Sequence, residues 1–229
     1  MEPHFGEKEK LRRRSFVCAI PVGNAYTAAL FRTYDNPMMP EEPYNGCYTW
    51  EACRATSAAT TFFDPITIGP LKQTFADGAV AYNNPVRLVY REAQQVWPDR
   101  IKDALLITIG TGAAPGPEFE GNALEMIKVL KEIVTETDKT NNDFSHDHYE
   151  MLDADRLYRF NVLHRLAEIG LEEYKEISKV ADATQAYLND GELRAKYRKC
   201  LAQLQKTLEE GEASTVSEEL ELIYRDDFS

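Results

Sequence analysis

The stretch from Ile66 to Gly112 constrains the fold most, because it sets two strand signals around one helix signal with sharp punctuation between them. Ile66 to Phe75 is extended in character, broken by Gly69 and Pro70. It runs into Ala76, Asp77, Gly78 and Ala79, where small residues predict a tight change of direction. Asn84 and Pro85 then make a helix opening, a side-chain cap followed by proline at the first helical position. Val86, Val89, Ala93, Val96 and Trp97 fall on one face before Pro98 ends the run. Ala104 to Ile109 is a continuous apolar run, the pattern of a strand covered on both faces, and it closes on Gly110, Thr111 and Gly112. Strand, helix and strand in that order predict an α/β sheet.

The flanks extend this pattern. Ser15 to Ile20 and Ala28 to Tyr34 read as strands separated by Pro21, Gly23 and Asn24, and Asp35 to Gly46, with Pro37, Pro40 and Pro43, reads as a loop. Tyr48 to Ala59 predicts an alanine-rich helix whose face of Trp50, Cys53 and Ser57 packs on a sheet. Asn122 to Thr137 predicts a second amphipathic helix with Ile127, Leu130 and Val134 in register. Asp138 to Tyr149 reads as a polar connection, and Arg156 to Val162 as a strand. From Leu166 the chain is expected to be almost wholly helical. Ala181 to Leu188 and the series Leu193, Tyr197, Cys200, Leu201, Leu204 and Leu208 form apolar stripes. Lys, Arg and Glu are mixed on the polar sides, so ordinary packing faces are the favoured reading. The acidic tail from Glu209 is expected to be partly disordered, and no internal repeat is found.

Bulk properties exclude several functions. With 229 residues, 43% hydrophobic and 28% charged, the chain fits one soluble domain, or a domain with a helical appendage, and holds no apolar run of bilayer-spanning length. Met1 to Arg14 is charged and lacks the apolar core of a secretory signal, so a cytoplasmic location is expected, peripheral at membranes if the partner is lipid. A net charge of -12, with only Arg12, Arg13 and Arg14 clustered, argues against nucleic acid as a partner. Cys18, Cys47, Cys53 and Cys200 have neither metal nor disulfide spacing and read as reduced thiols. His146, Asp147 and His148 read as a solvated loop, since no second ligand cluster lies at a familiar spacing. Gly110, Thr111 and Gly112 lack the rest of a phosphate-binding motif and read as a turn allowing close approach to a neighbouring strand. No cofactor is expected.

Asp77 is the first candidate for chemistry. It ends a strand and is followed by Gly78 and Ala79, so little bulk screens its carboxylate; an Asp-Gly turn is also commonly just a turn, and composition leaves both readings open. The surrounding residues narrow the choice. Trp50 to Phe63 (WEACRATSAATTFF), Phe75 to Ala79 (FADGA), Asn83 to Pro85 (NNP) and Ile107 to Gly112 (ITIGTG) resemble, in order and spacing, the second half of patatin-like phospholipase domains. Upstream, Phe16 to Ile20 (FVCAI) and Phe31 to Pro37 (FRTYDNP) resemble the family's strand leading into its FRSY-like segment. The resemblance covers roughly Ser15 to Leu188.

The resemblance implies a lipid acyl hydrolase of phospholipase A type. In that family a serine on a Gly-x-Ser-x-Gly turn attacks the ester carbonyl, and the aspartate of the Asp-Gly-Ala or Asp-Gly-Gly motif activates it without histidine. Asp77 matches that aspartate, with Gly78, Ala79 and Asn84 as supporting residues of the motifs. None of the chain's serines (Ser15, Ser57, Ser145, Ser178, Ser214, Ser217, Ser229) is flanked by glycines two residues away on both sides, and no glycine-rich oxyanion loop precedes them. Ser57 falls in a helix-end motif of the family and reads as structural.

The implied fold is a partial patatin-like, three-layer α/β/α sheet, mostly parallel, that lacks its N-terminal strands and is followed by a helical C-terminal region. Residues 15–190 are expected to form the C-terminal portion of the hydrolase domain and residues 191–229 a helical, acidic extension. Open apolar strand edges invite association. Either a partner chain supplies the missing N-terminal half or the monomer is marginal. The substrate class implied is lipid acyl esters or a membrane surface. A different reading makes the chain a non-catalytic module that binds lipid or a partner through its helical C-terminal third.

Overall fold

The computed structural model describes residues 14–24, 27–39, 46–59, 62–112, 137–162, 169 and 174–226. The expected helix at Asn122 to Thr137 lies, apart from Thr137, outside the described residues. The chain divides into two compact units, Met1–Ile101 with Pro117–Phe144, and Lys102–Gly116 with Ser145–Ser229.

The first unit is built on a four-stranded sheet of order β2-β1-β4-β3, with β1 Phe16–Pro21, β2 Ala29–Arg32, β3 Ile66–Ile68 and β4 Gln73–Asp77. All three pairings are antiparallel, with Ala19 opposite Ala29 on one side and opposite Asp77 on the other. This corrects the expectation of a mostly parallel sheet. Short connections reverse the chain between β1 and β2 and between β3 and β4, and such hairpins permit only antiparallel neighbours. At the second turn Gly69 and Lys72 both take positive φ (76° and 51°), and the Lys72 N–H closes the turn on the Gly69 carbonyl at 3.1 Å.

Helix α1, Thr49–Thr56, opens with Glu51 accepting the Tyr48 N–H at 2.7 Å. The face it buries is the reverse of the expected one: Ala52 and Ala55 are fully buried, whereas Trp50, Cys53 and Ser57 are exposed. Alanine lets the helix axis come close to the strands, which a tryptophan face would prevent. The core beneath it joins Ala19, Ala29, Phe31, Ile68 and Phe75, with Phe31 and Phe75 edge to face at 5.2 Å.

Strand alternation sends Leu30 and Arg32 to the other face of the sheet. There Arg32 meets helix α3, Val86–Val96, which follows the four-residue helix α2, Ala79–Tyr82. The unit thus has helices on both faces. On α3 the buried residues are Val86, Leu88 and Glu92, and Trp97 is 44% exposed, so the expected face is displaced around the helix. Residues 138–147, most of the stretch expected as a polar connection, are helical and together with Thr137 form α4. Phe144 anchors it, 2% exposed and edge to face with Tyr90 at 5.5 Å.

In the second unit β5, Leu106–Ile109, pairs in parallel with β6, Leu157–Phe160. Helix α5, Tyr149–Asp153, leads into β6 through Asp155 at φ 51°. β5 is not covered on both faces, since Ile107 is 38% and Ile109 81% exposed. Helices α6, Ile177–Leu188, and α7, Gly191–Asp226, complete the unit. The acidic tail, expected to be partly disordered, continues as α7 to Asp226. Of the α7 stripe only Leu193 and Cys200 are buried. Tyr197, Leu201, Leu204 and Leu208 are 38–60% exposed, so this part of the stripe is not an internal packing face.

Candidate active site

Asp77 is the last residue of β4, and three backbone features fix it. Its Cα lies opposite Ala19 of β1, its N–H donates to the Ala58 carbonyl at 3.1 Å, and its Oδ1 accepts the Ala79 N–H at 2.8 Å. The last of these is a local side-chain turn that holds the carboxylate over the start of α2. Oδ2 makes no hydrogen bond among the described residues.

Gly78 is required here by space and not by φ. A Cβ would run into the carbonyl and thiol of Cys18, and the same carbonyl accepts the Thr56 hydroxyl at 2.7 Å. Strand β1, the end of α1 and the Asp-Gly turn are therefore locked together at one rim of the sheet.

The helix begins one residue later than expected, at Val86 with Pro85 at the N-cap position; the Asn84 Oδ1 accepts the Val86 N–H at 3.3 Å from just before it, and its Nδ2 donates to the Thr137 carbonyl at 3.4 Å. Asn83 donates to the Thr137 hydroxyl at 2.9 Å. The Asn-Asn-Pro segment thus ties the entry of α3 to α4. Ala79, Asn83, Asn84, Thr137 and Thr140 line a small polar cleft beside the turn.

Burial raises the Asp77 carboxyl above its ordinary value, and the Ala79 N–H only partly offsets this. Burial, together with the Asp77 charge, raises the neighbouring Cys18 thiol, which keeps it protonated at neutral pH. An acid whose folded pKa exceeds its unfolded one is penalised by folding once ionised, and the penalty disappears as pH falls below the unfolded value. Asp77→Asn, which retains the Oδ1 acceptor, should therefore melt at a higher temperature than the wild type at pH 7. The difference should vanish below about pH 3.8, the ordinary aspartate value. Melting curves at both pH values check this, and a variant less stable at pH 7 would contradict it.

The other candidates separate clearly. Ser57 donates its hydroxyl to the Cys53 carbonyl at 2.8 Å, back along its own helix, in keeping with a structural role. His146 and Asp147 are helical and not in a loop, the His146 side chain is 92% exposed, and no cluster of three metal-ligating side chains occurs among the described residues. All four cysteines are free thiols, and burial pushes Cys47 up to about 11.

Gly110 and Gly112 belong to the second unit, where Asn161 reads them. Its Oδ1 accepts the Gly112 N–H at 2.8 Å and its Nδ2 donates to the Gly112 carbonyl at 3.4 Å, while a Cβ on Gly110 would strike the Asn161 side chain. Asn161→Ala removes both bonds, and exchange of the Gly112 amide should accelerate by roughly tenfold or more, from a local loss of about 1–3 kcal/mol. Amide hydrogen exchange at that residue measures it; unchanged exchange would show the clamp to be idle.

One feature escaped the sequence reading. Glu92, 3% exposed, accepts hydrogen bonds from Nε and Nη2 of Arg32 at 2.7 and 2.8 Å, from the Tyr34 hydroxyl at 2.8 Å and from the Asn36 amide at 3.1 Å. Burial alone would raise this carboxyl, but Arg32, Tyr34 and Asn36 together hold it below its ordinary value. Burial and the bond to Glu92 raise the Tyr34 hydroxyl in turn. The Phe31 to Pro37 segment is therefore the half of a polar lock that α3 completes.

The aspartate at the strand end, the spatially required glycine after it and the Asn-Asn-Pro tie all fall in one stretch of the first unit. Residues 3–90 match the patatin-like phospholipase family model. The match lies at the N-terminal end of the chain. It takes in Asp77 and the Asn-Asn-Pro segment but ends before Gly110, so it is shorter than the expected resemblance from Ser15 to Leu188. Over 126 residues the chain is 32% identical to phospholipase A I of Arabidopsis thaliana, covering 54% of this chain and 9% of that protein. Over 144 residues it is 28% identical to calcium-independent phospholipase A2-gamma of Rattus norvegicus, covering 61% of this chain and 18% of that protein. The human protein of the same name is 33% identical over 88 residues, 37% of this chain and 11% of its own length. The chain thus spans less than a fifth of the length of these relatives.

Proposed function

We propose that the chain carries the base of a Ser-Asp lipid acyl hydrolase, with Asp77 as that base and the nucleophilic serine outside these 229 residues. The observation that carries the reading is the Asp77 carboxylate: fixed by backbone contacts at a strand end, with one oxygen unengaged among the described residues and its pKa raised by burial. Gly78, Ala79 and Asn84 shape its turn and hold no reacting atom. A serine hydroxyl within reach of Oδ2 would lose its proton there as it attacks the ester carbonyl, and the protonated Asp77 would return that proton to the departing alcohol. The oxyanion donors would come from the same missing portion.

On this reading residues 15–190 are the later part of a three-layer hydrolase domain and residues 191–229 an extension. The unpaired edge of β5 supports it, because β5 pairs only with β6 among the described residues and that edge suits an added strand. The substrates would be acyl esters of membrane or storage lipids. No helix among the described residues is long and apolar enough to cross a membrane.

The 229-residue chain by itself should hydrolyse a soluble nitrophenyl ester no faster than buffer, and Asp77→Ala should leave that rate unchanged. Hydrolysis by the chain that Asp77→Ala abolishes would place a nucleophile inside it and overturn the proposal. A second reading, a non-catalytic binding module, is favoured by the exposed Tyr197, Leu201, Leu204 and Leu208 on α7.

A further inference from the structure

Thr56, the last residue of α1, directs its hydroxyl away from its own helix. A serine or threonine in a helix commonly bonds back to the carbonyl one turn earlier. Ser57, Thr184 and Thr207 do so, reaching the carbonyls of Cys53, Val180 and Gln203 at 2.8, 2.8 and 2.9 Å. Thr56 instead donates to the Cys18 carbonyl at 2.7 Å, 38 residues away in sequence, and so ties the helix end to β1.

That carbonyl is what the Asp-Gly turn is seated against. A Cβ on Gly78 would overlap the Cys18 oxygen and come within 2.9 Å of its Sγ, so the turn has no slack: where the carbonyl goes, Gly78 must follow. In the register of β1 and β4, Ala19 lies opposite Asp77, and Cys18 is the β1 residue just past that last pair. Two residues beyond Thr56, the Ala58 carbonyl accepts the Asp77 N–H at 3.1 Å. The end of α1 therefore grips both strands where β4 ends, β1 by a side chain and β4 by the backbone. The bond from the Ala79 N–H to Asp77 Oδ1 aims the carboxylate, but it lies within the turn and cannot fix where the turn sits.

We propose that Thr56 is a positioning residue for Asp77: its hydroxyl anchors the Cys18 carbonyl, the carbonyl seats Gly78, and Gly78 sets where the carboxylate stands at the rim of the sheet. That this carboxylate serves as a base rests on the function proposed above, whereas its placement by Thr56 does not. The anchor matters to such a base because a displacement of about 1 Å can cost roughly a hundredfold in rate. Thr56 touches no reacting atom in this scheme and acts only through the backbone of β1.

Amide hydrogen exchange on the full chain at neutral pH tests this. Thr56→Val keeps the shape and removes the donor, so exchange at the Asp77 and Ala79 amides should accelerate by about tenfold or more. The Val89 amide, bonded to the Pro85 carbonyl at the start of α3 at 2.9 Å, should exchange as in the wild type. Thr56→Ser restores the donor and should return Asp77 and Ala79 to the wild-type rate. Ser57→Ala, which removes the neighbouring hydroxyl, should leave both unchanged. Should valine disturb the fold, Thr56→Ala against Thr56→Ser makes the same comparison between variants one oxygen apart. The proposal is overturned if the variant lacking the hydroxyl exchanges at the wild-type rate, if Thr56→Ser is as fast as that variant, or if Ser57→Ala accelerates the same amides equally. It is overturned as well if Val89 accelerates with them, because the loss would then be one of general stability. No turnover is read, so a negative result removes the anchor and leaves the identity of the base to be judged by hydrolysis.

Discussion

Replacing Glu92 by alanine should unfold the first unit or nearly so, at a cost of about 3–5 kcal/mol, the range for removing one partner of a buried ion pair. The magnitude follows from the surroundings. The Arg32 side chain is 5% exposed, and the substitution strips its guanidinium of both carboxylate bonds while removing the acceptor for Tyr34 and Asn36. A domain of this size has only about 5–15 kcal/mol in total. Glu92→Gln should be almost as damaging, because it keeps the shape but neither the charge nor the second acceptor oxygen, and sets an amide donor against the donors that Glu92 now receives. Arg32→Met combined with Glu92→Leu should be more stable than Glu92→Ala, since an apolar pair leaves no buried charge behind. Urea denaturation followed by circular dichroism measures all three. A Glu92→Ala cost below about 1 kcal/mol would mean that the lock contributes no more than a surface pair.

The same lock carries a pH signature. The folded Glu92 carboxyl titrates below its ordinary value of 4.5, so its contribution is complete above that pH and is lost as pH falls through the folded value. Acid unfolding of the first unit should begin below about pH 4.5 in the wild type, and this acid-dependent loss should be missing in the apolar double variant.

How much of this was legible beforehand depended on whether a signal was local. Asp77 and Gly78 stood out because a strand, a run of small residues and a capped helix follow one another directly, and the structure places them at a strand end as expected. The Asn84 bond to the Val86 N–H is equally local, although Pro85 and not Asn84 takes the cap position. Glu92 was not legible: a glutamate on an amphipathic helix reads as solvated, and its partners Arg32, Tyr34 and Asn36 lie 60, 58 and 56 residues away. Trp50, the large residue of α1, suggests the wrong buried face, whereas close packing on a sheet selects the alanines. The antiparallel order escaped because periodicity identifies strands but not the direction of their neighbours. The polarity of Asp138 to Tyr149 suggests a connection, although the buried Phe144 is enough to seat a helix there.

The largest expected effect concerns catalysis. In a nucleophile and base that act as one unit, removing either member costs several orders of magnitude in rate. The deciding measurement is ester hydrolysis by this chain fused behind the serine-bearing segment of a patatin-like phospholipase. The fusion should turn over substrate, and Asp77→Ala should reduce kcat by roughly 10³-fold or more, to the level reached by replacing the serine. Turnover by the fusion that survives Asp77→Ala would contradict the assignment of Asp77 as the base.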